Sequence, residues 1–182
     1  MELTKKEKTA LLEIVKKAIT AKINDKEMPK LTLESQTLKE KRGAFVTLKK
    51  SGHLRGCIGY IKDTKPLWET VRDMAVAAAF HDPRFPSLKA EEVEALTLEV
   101  SVLSPLKHIK NIDEIEVGKH GLYIVRGYNS GLLLPQVAVE YGWDRESFLR
   151  ETCYKAGLPS QAWKDKETEI YVFSADYFSD TT

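Results

Sequence analysis

Gly43-Ala44-Phe45-Val46-Thr47-Leu48-Lys49 and His53-Leu54-Arg55-Gly56-Cys57-Ile58-Gly59-Tyr60 lie on either side of Lys50-Ser51-Gly52. Two β-rich runs around a short glycine-containing turn predict a β-hairpin, so the chain builds antiparallel sheet. In the second strand, strict alternation sends Arg55 and Cys57 to one face and Leu54 and Ile58 to the other. A guanidinium beside a thiol favours the thiolate, and Gly56 and Gly59 let a backbone or ligand come close. The competing reading has Cys57 as a small buried hydrophobe and the glycines as marks of a bulge.

Outward from the hairpin the periodicity changes. Leu3, Leu11, Leu12, Ile14, Val15, Ala18 and Ile19 recur at helical spacing. With Thr4 and Glu7 as a capping box, they predict an amphipathic helix over 4–22. Residues 23–42 are polar, contain Pro29 and read as a surface arm. Pro66 opens a second helix whose stripe of Leu67, Val71, Met74, Ala75, Ala78 and Ala79 suits a sheet, and Asp82-Pro83 stops it. A helical turn near 89–94 precedes a strand at 96–103, with Thr97, Glu99 and Ser101 on its polar face.

After Ser104-Pro105 come a connector with a turn at 112–115 and a second hairpin, 121–126 with 132–134, joined through 127–131. Helices at 136–141 and 145–156, the latter between Asp144 and Gly157, precede a turn near Trp163 and a last strand at 169–175. Hairpins outnumber strand-helix-strand repeats. The fold class is α+β, a mainly antiparallel sheet flanked by helices.

The 182 residues are 42% hydrophobic and 30% charged, enough for a real core. Neither a membrane-spanning apolar run nor a secretory signal is visible, so the expected location is cytoplasmic. Cys57 and Cys153 make no disulfide framework, and paired zinc-ligand spacings are absent. Net charge is +1. Residues 1–50 carry 13 Lys or Arg against 7 Asp or Glu, an excess that fits a solvated helix face better than a nucleic-acid surface. No glycine-rich nucleotide loop or His-Glu-x-x-His helix is present, so nucleotide cofactors have no motif.

Six segments occur together in order. They are Leu54-Arg55-Gly56-Cys57-Ile58-Gly59, His81-Asp82-Pro83-Arg84-Phe85-Pro86, Leu98 to Pro105, Gly118-Lys119-His120-Gly121-Leu122, Leu133 to Ala138, and Thr152 to Gly157. In this order and spacing the chain resembles the AMMECR domain family over about residues 5–178, and in particular its single-domain prokaryotic members of the AmmeMemoRadiSam system A group. The resemblance implies a single domain with two α+β lobes of unequal size, candidate junctions near 40–43 and 104–106, and characteristic residues in the cleft between lobes. It also implies companions, a Memo-like protein related to extradiol dioxygenases and a radical SAM protein. It supplies no reaction.

The residues themselves suggest chemistry. Cys57, His120 and Glu99 can serve as nucleophile, base and the group that orients the base. A thiolate, an imidazole and a carboxylate also suit zinc or iron with an open coordination position. Each has a plain alternative: Cys57 packs, His120 caps a turn, and Glu99 pairs with Arg55 or a nearby lysine. Arg55 and Arg84 are candidate substrate-binding cations, Arg84 on a backbone stiffened by Pro83 and Pro86. Its alternative is a structural salt bridge, with Asp82 capping a turn. Gln136, at a helix start, is a candidate contact for an anionic group. A small anionic substrate acted on by an enzyme or enzyme subunit is one reading; a non-catalytic module that presents the same residues to a protein partner is the other.

Overall fold

The computed structural model describes residues 2–181 and divides into two compact units. One comprises the chain up to Leu103 together with the segment from Asp176 onward, and the other runs from Ser104 to Ala175. Each carries its own four-stranded sheet and its own core. No helix among the described residues is long and apolar enough to cross a membrane.

The first unit opens with α1 (Lys5–Ile23), started by the capping box. Thr4 Oγ1 accepts the Glu7 amide at 3.3 Å, and the Glu7 carboxylate accepts the Thr4 amide at 2.8 Å. The other Glu7 oxygen accepts the Ser35 hydroxyl at 2.6 Å, which ties the arm to the helix. That arm is more ordered than its polarity predicts. It holds a one-turn helix, α2 (Gln36–Lys39), capped by Ser35 and pinned by the fully buried Leu38.

Then follow β1 (Ala44–Lys50), β2 (His53–Tyr60), α3 (Leu67–Phe80) and β3 (Leu96–Leu103). The sheet order is β2-β1-β3-β8, where β8 is Ala175–Ser179, and β1 pairs antiparallel with both β2 and β3. The β1–β2 turn is tighter than expected. Lys50 pairs with His53, so only Ser51 and Gly52 turn the chain, both at positive φ (52° and 77°), as a type I′ hairpin requires. Val46, Leu48, Leu98 and Val100 share one core with Leu11, Val15 and Ile19 of α1 and Val71, Ala75 and Ala78 of α3.

Two features of β2 depart from regular alternation. Gly56 lies opposite Leu48 while Leu54 lies opposite Lys49, so Arg55 is an extra residue in a bulge. The bulge changes the phase of the strand. Leu54 therefore shares a face with Lys49, Thr47 and Cys57, whereas alternation sets it on the face opposite Cys57, and Arg55 stands outside the pairing. Its guanidinium instead forks onto Glu92, with Nε to Oε1 at 3.1 Å and Nη2 to Oε2 at 2.9 Å, and Nη1 donates to the Pro86 carbonyl at 3.0 Å. Gly56 has a different reason. A Cβ there would stand 2.1 Å from the Ala78 carbonyl oxygen, so α3 packs directly on the β2 backbone.

The second unit contains β4 (Lys107–Ile109), β5 (Gly121–Arg126), β6 (Asn129–Leu133), α4 (Pro135–Glu140), α5 (Arg145–Lys155) and β7 (Glu169–Phe173), with sheet order β4-β7-β5-β6. β6 starts at Asn129, earlier than the glycine-rich composition suggests. Gly131 is needed inside the strand because a Cβ would lie 2.4 Å from the Ala156 amide at the end of α5. The last strand splits at Ser174: β7 joins this sheet and β8 the other. Leu122, Ile124, Phe148, Leu149, Cys153 and Val172 form the core, and burial pushes the Cys153 thiol pKa up.

Two outcomes follow from β2. Gly56→Ala drives a methyl into the α3 backbone, and an overpacking cost of about 3 kcal/mol lowers Tm by about 6–12 °C in a chain of this size; an unchanged melt would contradict the contact. Arg55, the Lys89 amide and Lys50 together hold Glu92 down to about 2 from 4.5. A depressed carboxyl stabilises above its unfolded pKa and loses that contribution as pH falls through the folded one. The stability gap between wild type and Glu92→Gln in urea unfolding is therefore full at pH 7 and shrinks from pH 4.5 toward pH 2; a gap independent of pH would contradict the ion pair.

Candidate functional site

β2 is an edge strand, and an edge presents unpaired backbone groups that a fold must occupy. Here the loop that follows α3 occupies them. α3 ends at Phe80, and Pro83 leads a turn closed by the Phe85 amide on the Asp82 carbonyl at 3.2 Å. The Asp82 side chain accepts the Arg84 amide at 3.1 Å, an Asx-type contact that turns the carboxylate toward the strand. One of its oxygens, Oδ2, accepts the Cys57 amide at 2.9 Å.

Arg84 completes the arrangement. Its Nε and Nη2 donate to Asp82 Oδ1 and Oδ2 at 3.0 and 2.7 Å, and Nη2 also donates to the Cys57 carbonyl at 3.2 Å. A carboxylate and a guanidinium thus bind the N–H and C=O of one residue, as a neighbouring strand would. Asp82 is almost wholly buried, and its carboxyl is held well below the usual range, chiefly by Arg84 and then by the two amides, against the cost of burial. Half of the Arg84 side chain remains exposed, with the guanidinium 5.6 Å from the Phe85 ring. Asp82 raises the Arg84 pKa most, and the charge of Cys57 raises it further.

On the sheet face, register lines up Cys57 (β2), Thr47 (β1) and Glu99 (β3) in one row. Thr47 Oγ1 donates to Cys57 Sγ at 3.2 Å. Glu99, buried, accepts Lys49 Nζ at 2.6 Å. Since strands lie about 4.8 Å apart, Thr47 separates the cysteine and glutamate backbones by two spacings, about 10 Å. Phe45 and Gly59 form the adjacent pair in the ladder, where the Phe45 ring fills the space that a Cβ on Gly59 would need.

The remaining candidates have local roles. Arg55 donates from all three nitrogens to Glu92 and Pro86, with its side chain 12% exposed. His120 belongs to the second unit, where its Nδ1 accepts the Glu116 amide at 3.1 Å and its own amide donates to the Glu116 carbonyl at 2.9 Å. That hydrogen bond puts the proton of the neutral ring on Nε2. Gln136 follows Pro135 at the start of α4, a helix of only six residues. Within either unit, no three His, Cys, Asp or Glu side chains among the described residues are grouped as metal ligands.

The sequence assigned Asp82 to a turn and offered Glu99 a nearby lysine, which is Lys49, but gave Thr47 no role. The hairpin register carried the signal for Thr47, since Lys50 opposite His53 sets Thr47 against Cys57 once the bulge is counted. Asp82 gives no comparable local sign, because its partner is 25 residues away.

The AMMECR1 family profile matches residues 12–178. Protein MK0488 of Methanopyrus kandleri is 44% identical over 98% of this chain and 91% of its own length. Protein NEQ441 of Nanoarchaeum equitans is 43% identical over 92% and 95%. The crystal structure of PH0010 from Pyrococcus horikoshii superposes with a TM-score of 0.88 at 43% identity, covering 93% of this chain and 89% of that one. None of these names states an activity. The hairpin with its cysteine, the Asp82-Pro83-Arg84 loop packed on it, and the rest of the chain to residue 178 belong to the AMMECR1 family.

Proposed function

We propose that this protein is a thiol-dependent enzyme or enzyme subunit that uses Cys57 as nucleophile on a small anionic molecule. The observation that carries the reading is the double grip on the Cys57 peptide by Asp82 and Arg84, with a half-exposed guanidinium on the Cys57 carbonyl and the Thr47 hydroxyl donating to the sulfur. A guanidinium bonded to the same residue's carbonyl brings positive charge near the thiol, and nearby positive charge favours the thiolate. The exposed part of the same guanidinium is the contact for the anion, a role alternation had shared with Arg55. Glu99 stays in the proposal as the carboxylate of the row, its charge balanced by Lys49. His120 does not serve as the base, because the tautomer fixed by Glu116 offers an N–H at Nε2.

A second reading has its own support. The Arg55–Glu92 fork, the Gly56 contact with α3 and the Asp82 bond to the strand edge all serve the fold. In this reading the surface around Cys57 is presented to a protein partner, a Memo-like or radical SAM companion, and the thiol does not react. Cys57→Ala separates the two: it abolishes function with unchanged stability in the first and leaves partner binding and function intact in the second.

Iodoacetamide labelling of the folded protein, read by peptide mass, tests the nucleophile directly. Cys57 should label with an apparent pKa below about 8.5, while Cys153, fully buried, labels only on unfolding. The His120→Ala variant should titrate like wild type. A Cys57 that reacts only in the unfolded chain would remove the nucleophile, and a titration displaced by His120→Ala would restore the imidazole as its partner.

A further inference from the structure

Asp82 is more deeply buried than Glu99, and four donors converge on it: the amides of Cys57 and Arg84 and the Nε and Nη2 of Arg84. A carboxylate is acceptor-only, so four donors can be satisfied at once without one facing another donor. The loop is built to bring it there. Pro83 and the Asp82–Phe85 turn fix the backbone, and the Gly56 contact sets α3, which ends two residues earlier, directly on β2. Arg84 by itself has no such anchor: its side chain is half exposed, and the fork on Asp82 is what sets its direction.

We propose that Asp82 is a positioning residue, whose buried carboxylate holds the Arg84 guanidinium and the Cys57 peptide in one frame, with the cation on the carbonyl of the residue that carries the thiol. The inference rests on the thiol reading above and adds a residue that itself touches neither substrate nor sulfur. Its electrical effect and its mechanical effect oppose one another. Removing a negative charge near a thiol lowers the thiol pKa, whereas releasing a guanidinium held at the same residue's carbonyl raises it. Asp82→Asn does both, because its amide NH₂ must meet two of the four donors and break their geometry.

The test is the pH dependence of Cys57 alkylation by iodoacetamide in wild type, Asp82→Asn, Arg84→Lys and, as a control on the same strand, Glu92→Gln, each checked by thermal melt. Positioning predicts that Asp82→Asn raises the apparent thiol pKa by about one unit, equivalent to about tenfold less thiolate at pH 7. Arg84→Lys keeps the charge but loses the fork, and it should raise the pKa in the same direction. Glu92→Gln should leave it in place. A fall or no change in Asp82→Asn overturns the positioning role; if that variant does not melt cooperatively, an unmoved pKa in Arg84→Lys overturns it instead. A wild-type value at about 8.5 overturns the thiolate reading and this inference together, whereas a depressed wild-type value that neither variant moves overturns the positioning role alone.

Discussion

The hydrogen bond from the Cys57 amide to the buried Asp82 carboxylate is the contact on which the edge of the first unit's sheet depends. An edge strand needs its outward N–H and C=O occupied, and a buried carboxylate needs every lone pair satisfied. One arrangement meets both needs. Arg84 neutralises Asp82 and bonds the Cys57 carbonyl, so the strand edge is closed by an ion pair instead of another strand. Removing Arg84 leaves the Asp82 carboxylate buried without its cation, which costs about 3–5 kcal/mol, whereas Arg84 without Asp82 stays half in solvent.

This explains why the two sequence segments around Cys57 and Asp82 belong together. Gly56 admits α3, α3 delivers Asp82, and Asp82 returns to the residue next to Gly56. Arg55 and Glu92 fasten the same strand one residue earlier. The backbone of Cys57 is held by Asp82 and Arg84 from the loop, and its sulfur accepts the Thr47 hydroxyl from the sheet. A peptide held at both its N–H and its C=O has little conformational freedom left to lose when a ligand binds.

Much of the fold is legible in the chain because its signals are local. Thr4 and Glu7 set the start of α1, and Asp144 and Gly157 bracket α5 within a residue or two. Ser51-Gly52 marks the hairpin that makes the sheet antiparallel. Strands β4 and β8, of three and five residues, escape notice because such short runs carry almost no period, and β8 gains its identity only by pairing outside its neighbour's sheet. The direction of Arg55 is illegible for a related reason. Its bulge is coupled to a fork on Glu92, 37 positions away, which alternation cannot anticipate. Asp82 looks like a turn cap because the turn is local and its bond to Cys57 is not.

Native-state hydrogen exchange at the Cys57 amide tests the closed edge most directly. An outward amide on an edge strand open to water exchanges through small local fluctuations, whereas one held by a buried carboxylate exchanges only when the loop or the unit opens. The Cys57 amide should therefore be protected to the same degree as core amides of β1 such as Val46. Exchange as fast as that of an exposed loop amide would show that Asp82 does not hold the strand, and the account of the site built on that contact would fail.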